Sequence, residues 1–227
     1  MLRELAPGQL WIAEMPFQRP GLELGARMTV VRLADGGLFI HSPIALSPAL
    51  KQEIDALGPV RFIVSPFRFH YAHLPEFAVA YPEARIYAPP HFKKKLPGVR
   101  FHGVLGDVPE PGWAQDLDQA AFRGNALDDE VDFLHRPSRT LILTDLCFCL
   151  PARGSWLARR IAGFLGVLET FGPTLTFRLF TRDRRAARAS VERILAWDFD
   201  RIIIAHGTII ESGGHAAFRK AFAWLLD

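Results

Sequence analysis

The sequence predicts a mixed α/β fold. Short runs rich in β-branched and aromatic residues outnumber helical stretches over the first two-thirds of the chain. The segment Met28–His41 reads as an antiparallel hairpin, and strand–helix alternation dominates the remainder. The 227 residues are read as one domain spanning 1–227, since no repeat, linker or low-complexity run divides them. Hydrophobic residues make up 49% and charged residues 22%, which excludes a disordered, collagenous or disulfide-stapled chain. A net charge of +3, from 27 basic against 24 acidic side chains, argues against a nucleic-acid partner.

Each element has a local reason. Leu10–Ala13 is a short strand. Met28–Leu33 and Leu38–His41 flank the turn signal Asp35-Gly36-Gly37. Ser47 and Pro48 suit the N-cap and first position of a helix whose apolar spacing is Leu50, Ile54 and Leu57, and Gly58 ends it. Val60–Val64 is a buried strand, 65–74 is irregular, Pro75–Tyr81 is a short helix and Arg85–Ala88 a strand. Lys93–Lys95 reads as a solvated basic face and 103–113 as loop. Strands are expected at Ala121–Arg123, Glu130–Leu134 and Thr140–Thr144. A partly helical stretch, 151–180, is interrupted by Gly172-Pro173. Asp183–Trp197 is an amphipathic helix with Ala187, Val191 and Ile194 inward, Arg201–Ala205 a buried strand and His215–Leu226 a closing helix.

Polar residues concentrate where buried strands end. His70 and His73 lie in the irregular stretch after Val60–Val64, Asp145 follows Thr140–Thr144, and His206 follows Arg201–Ala205. In layered α/β folds ligands gather at such ends, and two or three imidazoles with a carboxylate are metal-binding chemistry. No nucleophile elbow, phosphate-binding loop or dinucleotide fingerprint is present. Cys147 and Cys149, two apart, are too close for an unstrained disulfide and are read as free thiols of a reducing compartment. With no signal peptide or transmembrane run either, a cytoplasmic location is expected.

On the phrases VRFIVSPFRFHYAHL, LILTDLCF and IIIAHG the chain resembles the metallo-β-lactamase superfamily. On RMTVVRL, FLHRPSRTLILTD and ILAWDFDRIIIAHG it resembles that superfamily's DUF4336 subfamily. The resemblance implies a four-layer αββα sandwich of two mixed sheets. It also implies a metal centre, with zinc (one ion or none) or, as a second choice, iron. The departures are specific. Pro66 and Arg68 stand where the superfamily has its first two histidines, His70 at its Asp and Tyr71 at its third His. A further ligand His is missing before Glu130, where Asn125, Asp128 and Asp129 are the candidates. One imidazole-poor site is thereby lost. The other is expected to use His70, Asp145 and His206, completed by His73 or Tyr71.

Two readings follow. In the first, the chain is a metal-dependent hydrolase with a mononuclear centre acting on an ester, thioester, amide or phosphoester. Asp145 is then part of the catalytic machinery, and Tyr71 or Arg68 stabilises the oxyanion. In the second, the metal is lost, Arg68 pairs with Asp145, and the cleft binds a small molecule or protein. A redox di-iron role would need more His and carboxylate ligands than the motifs supply. His41 is expected to support the ligands, His135 to brace its turn, and Cys147 to be a small buried hydrophobe, although His135 and Cys147 are also weighed as ligands. The apolar, arginine-flanked segment 156–180 is read as core helix, lid, membrane-surface patch or a homodimer interface.

Overall fold

The computed structural model describes residues 1–19, 22–90, 95–126 and 130–227. Its first sheet is built from β1 (Arg3–Ala6), β2 (Leu10–Met15), β5 (Ala26–Arg32), β6 (Leu38–His41), β7 (Val60–Val64), β8 (Arg85–Ala88) and β9 (Gly103–Val104), adjacent in that order. The first four strands are antiparallel, and β6 to β9 run parallel. A small ribbon, β3 (Gln18–Arg19) with β4 (Leu22–Glu23), stands between β2 and β5 in sequence. The second sheet has the order β10 (Leu117–Ala121), β11 (Val131–His135), β12 (Thr140–Ile142) and β13 (Arg201–Ile203), the last pair parallel.

Alternation along the strands sets the layers. Phe39, Phe62 and Tyr87 of the first sheet meet Phe133, Ile142 and Ile203 of the second. Between them, Trp113 stands edge-on to Phe39 and Phe62, with centroids 5.3 and 5.0 Å away. On the outer face of the first sheet, Ile40 and Ile63 pack under α1 (Pro48–Leu57) and α2 (Leu74–Ala80) through Leu50, Ile54, Leu74 and Phe77. Outside the second sheet, Leu141 and Ile202 pack under α5 (Arg184–Leu195) and α6 (Gly214–Ala221) through Val191, Ile194 and Phe218. The result is the αββα sandwich. Each fully buried Leu, Ile or Phe contributes about 1.5–3 kcal/mol.

Helix boundaries follow their caps. Ser47 Oγ accepts from Leu50 N–H, and Asp183 Oδ1 accepts from Ala186 N–H. Within 151–180 two helices form, α3 (Trp156–Phe164) and α4 (Leu175–Phe180), on either side of Gly172-Pro173. Three expectations are corrected. The strand sought at Ala121–Arg123 lies at Leu117–Ala121. Its Gln119 is buried because its side chain accepts from the Trp113 indole (3.0 Å) and donates to the Gly106 carbonyl (2.8 Å). The loop 103–113 contributes the edge strand β9, and the closing helix breaks at Phe222, after which α7 (Ala223–Leu226) follows. Lys93 and Lys94 lie outside the described residues. No helix among the described residues is long and apolar enough to cross a membrane.

Candidate metal centre

Strand register brings the ligands to one level. Ile142 of β12 lies directly opposite Ile203 of β13 in parallel pairing. Asp145 and His206, each three residues further on, therefore leave the second sheet side by side. His70 comes from the other sheet. After β7 the chain turns, and Ser65 Oγ, fully buried, donates to the His70 carbonyl at 2.8 Å and fixes that loop.

The three side chains converge. His70 Nε2 and His206 Nε2 each lie 3.1 Å from Asp145 Oδ1, and one ligand atom from each residue falls within 4.8 Å of the others. The far side of each imidazole is held. His70 Nδ1 is 2.7 Å from Ser42 Oγ, and His206 Nδ1 donates to the Gly25 carbonyl. Since a carbonyl only accepts, His206 carries a proton on Nδ1, which leaves Nε2 for a ligand. The His206 ring is stacked between Phe17 and Phe148, at centroid distances of 5.8 and 5.5 Å. Ser42 reaches His70 from a left-handed backbone conformation, φ +56°, uncommon outside glycine.

Burial and charge act together here. Burial alone would raise the Asp145 carboxyl. His70 and then His206 outweigh it and hold it well below the usual carboxylate range. Burial lowers His70, but Asp145 and, more weakly, Glu130 leave it raised. Burial, with His70 beside it, pushes His41 down to about 3. His41 is almost wholly enclosed and edge-on to Phe133, and among the described residues neither ring nitrogen has a hydrogen-bond partner.

One residue of the centre escapes sequence reading. Glu130 is fully buried, and its carboxylate accepts from the backbone N–H groups of Thr144, Asp145 (2.7 Å) and Leu146 (2.8 Å). Those three N–H groups belong to the turn that presents Asp145, so Glu130 sets its position. Burial, and then the Asp145 charge, push the Glu130 carboxyl up. The only signal in the sequence is an acid at the head of a buried strand, which is too common to interpret.

The other candidates are placed as follows. His73 lines the cavity beside the triad and bonds through Nδ1 to Glu76 Oε1 at 3.0 Å, at the start of α2. Tyr71 packs under the Lys95 ammonium, 5.1 Å from its ring centroid, and the Arg68 carbonyl accepts from Lys95 at 3.5 Å. The cavity wall passes through Phe69, His70, Ala72 and His73 without Arg68 or Tyr71. Among the described residues Asp145 pairs with His70 and His206, where the non-catalytic reading places Arg68. Asn125 donates to the Phe177 carbonyl (2.8 Å) and Thr181 Oγ1 (3.0 Å), and Asp128 and Asp129 lie outside the described residues. His135 bonds Ser138 Oγ at 2.7 Å across the β11–β12 turn. Cys147 is buried in the core outside the second sheet, and neither cysteine forms a disulfide among the described residues.

The triad opens into a cavity of about 300 Å³ whose apolar wall is Met15, Phe17, Leu24, Ile44, Phe69 and Phe148, with Arg19 also lining it. Two imidazole nitrogens and a carboxylate oxygen, with both far nitrogens engaged, are a donor set that fits a divalent transition metal.

Known structures share this architecture. A metallo-β-lactamase from Pontibacter korlensis aligns at TM-score 0.68 and 11% identity, covering 100% of this chain and 99% of the other. The metallo-β-lactamase FIM-1 from Pseudomonas aeruginosa, in its mono-zinc form, aligns at 0.62 and 13%, covering 100% and 96%. A metal-soaked Flv1 flavodiiron core from Synechocystis sp. PCC6803 aligns at 0.67 and 11%, covering 100% of this chain and 60% of that one. At such identities the likeness concerns the fold. No curated protein matches the chain. The family model "Domain of unknown function (DUF4336)" matches residues 7–158, about two-thirds of the sequence. The chain belongs to the DUF4336 family, and its fold is that of the metallo-β-lactamases.

Proposed function

We propose that the chain is a metal-dependent hydrolase with a mononuclear centre held by His70, Asp145 and His206, acting on a small substrate with an apolar part. The observation that supports this most directly is the convergence of those three ligand atoms on one side of a mostly apolar cavity. A divalent metal bound there supplies Lewis acidity and brings the pKa of a water toward neutrality.

The chain's own residues do the rest. Ser42 and the Gly25 carbonyl orient the two imidazoles, and Phe17 and Phe148 keep the His206 ring from rotating. Asp145 stays ionised and contributes the negative charge of the centre. Its backbone is fixed by Glu130. The apolar wall excludes bulk water and seats the apolar part of the substrate, and Arg19 offers a cation to an anionic end. His73, steadied by Glu76, is the lining group outside the triad that can carry a proton to a leaving group. The oxyanion roles considered for Tyr71 and Arg68 need side chains in the cavity wall, which runs through Phe69, His70, Ala72 and His73 instead.

The test is hydrolysis of chromogenic carboxylic esters, thioesters and phosphodiesters by protein loaded with zinc, iron(II) or manganese. At least one class should turn over, chelator should stop it, and His206→Ala should lower the rate 100-fold or more. Metal-loaded wild-type protein that hydrolyses none of these classes would contradict the hydrolase reading.

A further inference from the structure

We propose that α3 and α4 form a docking surface for a bilayer rich in anionic phospholipid. In α3, Trp156, Arg160 and Phe164 follow one another at four-residue spacing and share a face. Trp156 is 65% and Phe164 75% exposed, and the Arg160 guanidinium stands 6.0 Å from the Trp156 ring centroid. The face continues into α4, because Leu175 N–H donates to the carbonyl of Leu165, the residue after Phe164. Leu175 and, one turn on, Leu179 extend it, the latter 74% exposed.

This arrangement inverts that of a helix serving the core. The buried side of α3 is made of Ala158 and Ala162, with Ala162 packed against Leu150 and Val167, while Trp156, Leu157 and Phe164 face outward. Exposed aromatic and aliphatic side chains alternating with arginine are the chemistry of an interfacial helix, whose apolar groups enter the acyl boundary while guanidinium groups meet phosphate.

Charge decides the occupant. Residues 152–185 contain seven arginines and no lysine, against Glu169 and Asp183; Arg178 and Arg184 pack on the Trp224 ring, and Asp183 is engaged as the cap of α5. A second copy of this face would set arginine against arginine. An anionic lipid surface complements it. The patch also neighbours the cavity, since Leu24 and Phe148 pack on the Leu150, Ala162 and Val167 cluster beneath α3 and also line the cavity wall. The inference does not depend on the metal or on hydrolysis.

Sedimentation with vesicles of phosphatidylcholine alone, or of equal parts phosphatidylcholine and phosphatidylglycerol, tests it on the full chain. Binding is expected to the anionic vesicles, to weaken with salt, and to be slight on neutral ones. Trp156 should give a blue shift in fluorescence that Trp156→Phe removes. Arg159→Gln and Arg160→Gln should each weaken binding about fivefold. Phe164→Ser with Leu179→Ser, both at exposed positions, should abolish binding while leaving thermal unfolding unchanged. Absence of binding to either vesicle, or binding unaffected by these variants, would overturn the proposal. So would a solution dimer that the double variant converts to monomer with no vesicle binding by the wild type, which would assign the face to a second copy.

Discussion

Ser42 joins backbone strain to the centre. It holds φ +56° and places its hydroxyl 2.7 Å from His70 Nδ1, the far side of a candidate ligand. Groups that orient metal-binding imidazoles are typically worth about 10–100-fold in affinity, so Ser42→Ala should weaken metal binding by that factor in competition with a chelating dye. Glu130 acts on Asp145 in the same indirect way, through backbone N–H groups. Glu130→Ala would strand three buried donors and should lower unfolding free energy by about 3 kcal/mol, measured in urea. His70, Asp145 and His206 could be picked out in the sequence because each follows an obvious strand. Ser42, Gly25 and Glu130 could not, because their roles rest on hydrogen bonds across the fold rather than on residue type.

At the level of elements, the β11–β12 turn and the end of β13 make separate predictions. His135 is enclosed in the turn it braces, and burial pushes its pKa down to about 4. Unfolded, it titrates near 6.5, so between these values the unfolded chain binds the extra proton and stability rises with pH. Acidification from pH 6.5 to 4 should therefore cost about 3 kcal/mol through His135 alone. His41 acts in the same direction. Denaturant unfolding across that range should show a slope that His135→Asn flattens. After β13, Gly207 has φ +96°, and a Cβ there would collide with the Cys149 carbonyl. Gly207→Ala should cost about 2–4 kcal/mol and displace His206, seen as loss of metal binding at temperatures where the protein remains folded. The long strands and helices were legible from periodicity. β10 was not, because Asp118 and Gln119 break its apolar run, and Gln119 is buried on bonds to Trp113 and Gly106 far from it in pattern. β1 and β9 are short edge strands whose existence depends on a neighbour already in place.

Across the whole molecule, the sandwich was readable from the order of its elements and from family resemblance, since the same hydrophobic alternation that buries Phe39 and Phe133 between the sheets puts helices outside them. The convergence of the centre was not. It depends on the parallel register of Ile142 with Ile203 and on bringing the loop after β7 of the first sheet against the end of the second. Neither leaves a local mark in the sequence, which also offered Arg68 as a partner for Asp145. His70, Asp145 and His206 are expected to hold one metal ion. Elemental analysis of native protein, purified without chelator or nickel affinity and compared with an Asp145→Ala, His206→Ala double variant, tests that most directly. One equivalent per chain in the native protein and none in the folded variant is the predicted result. No metal in either, or equal amounts in both, would contradict it.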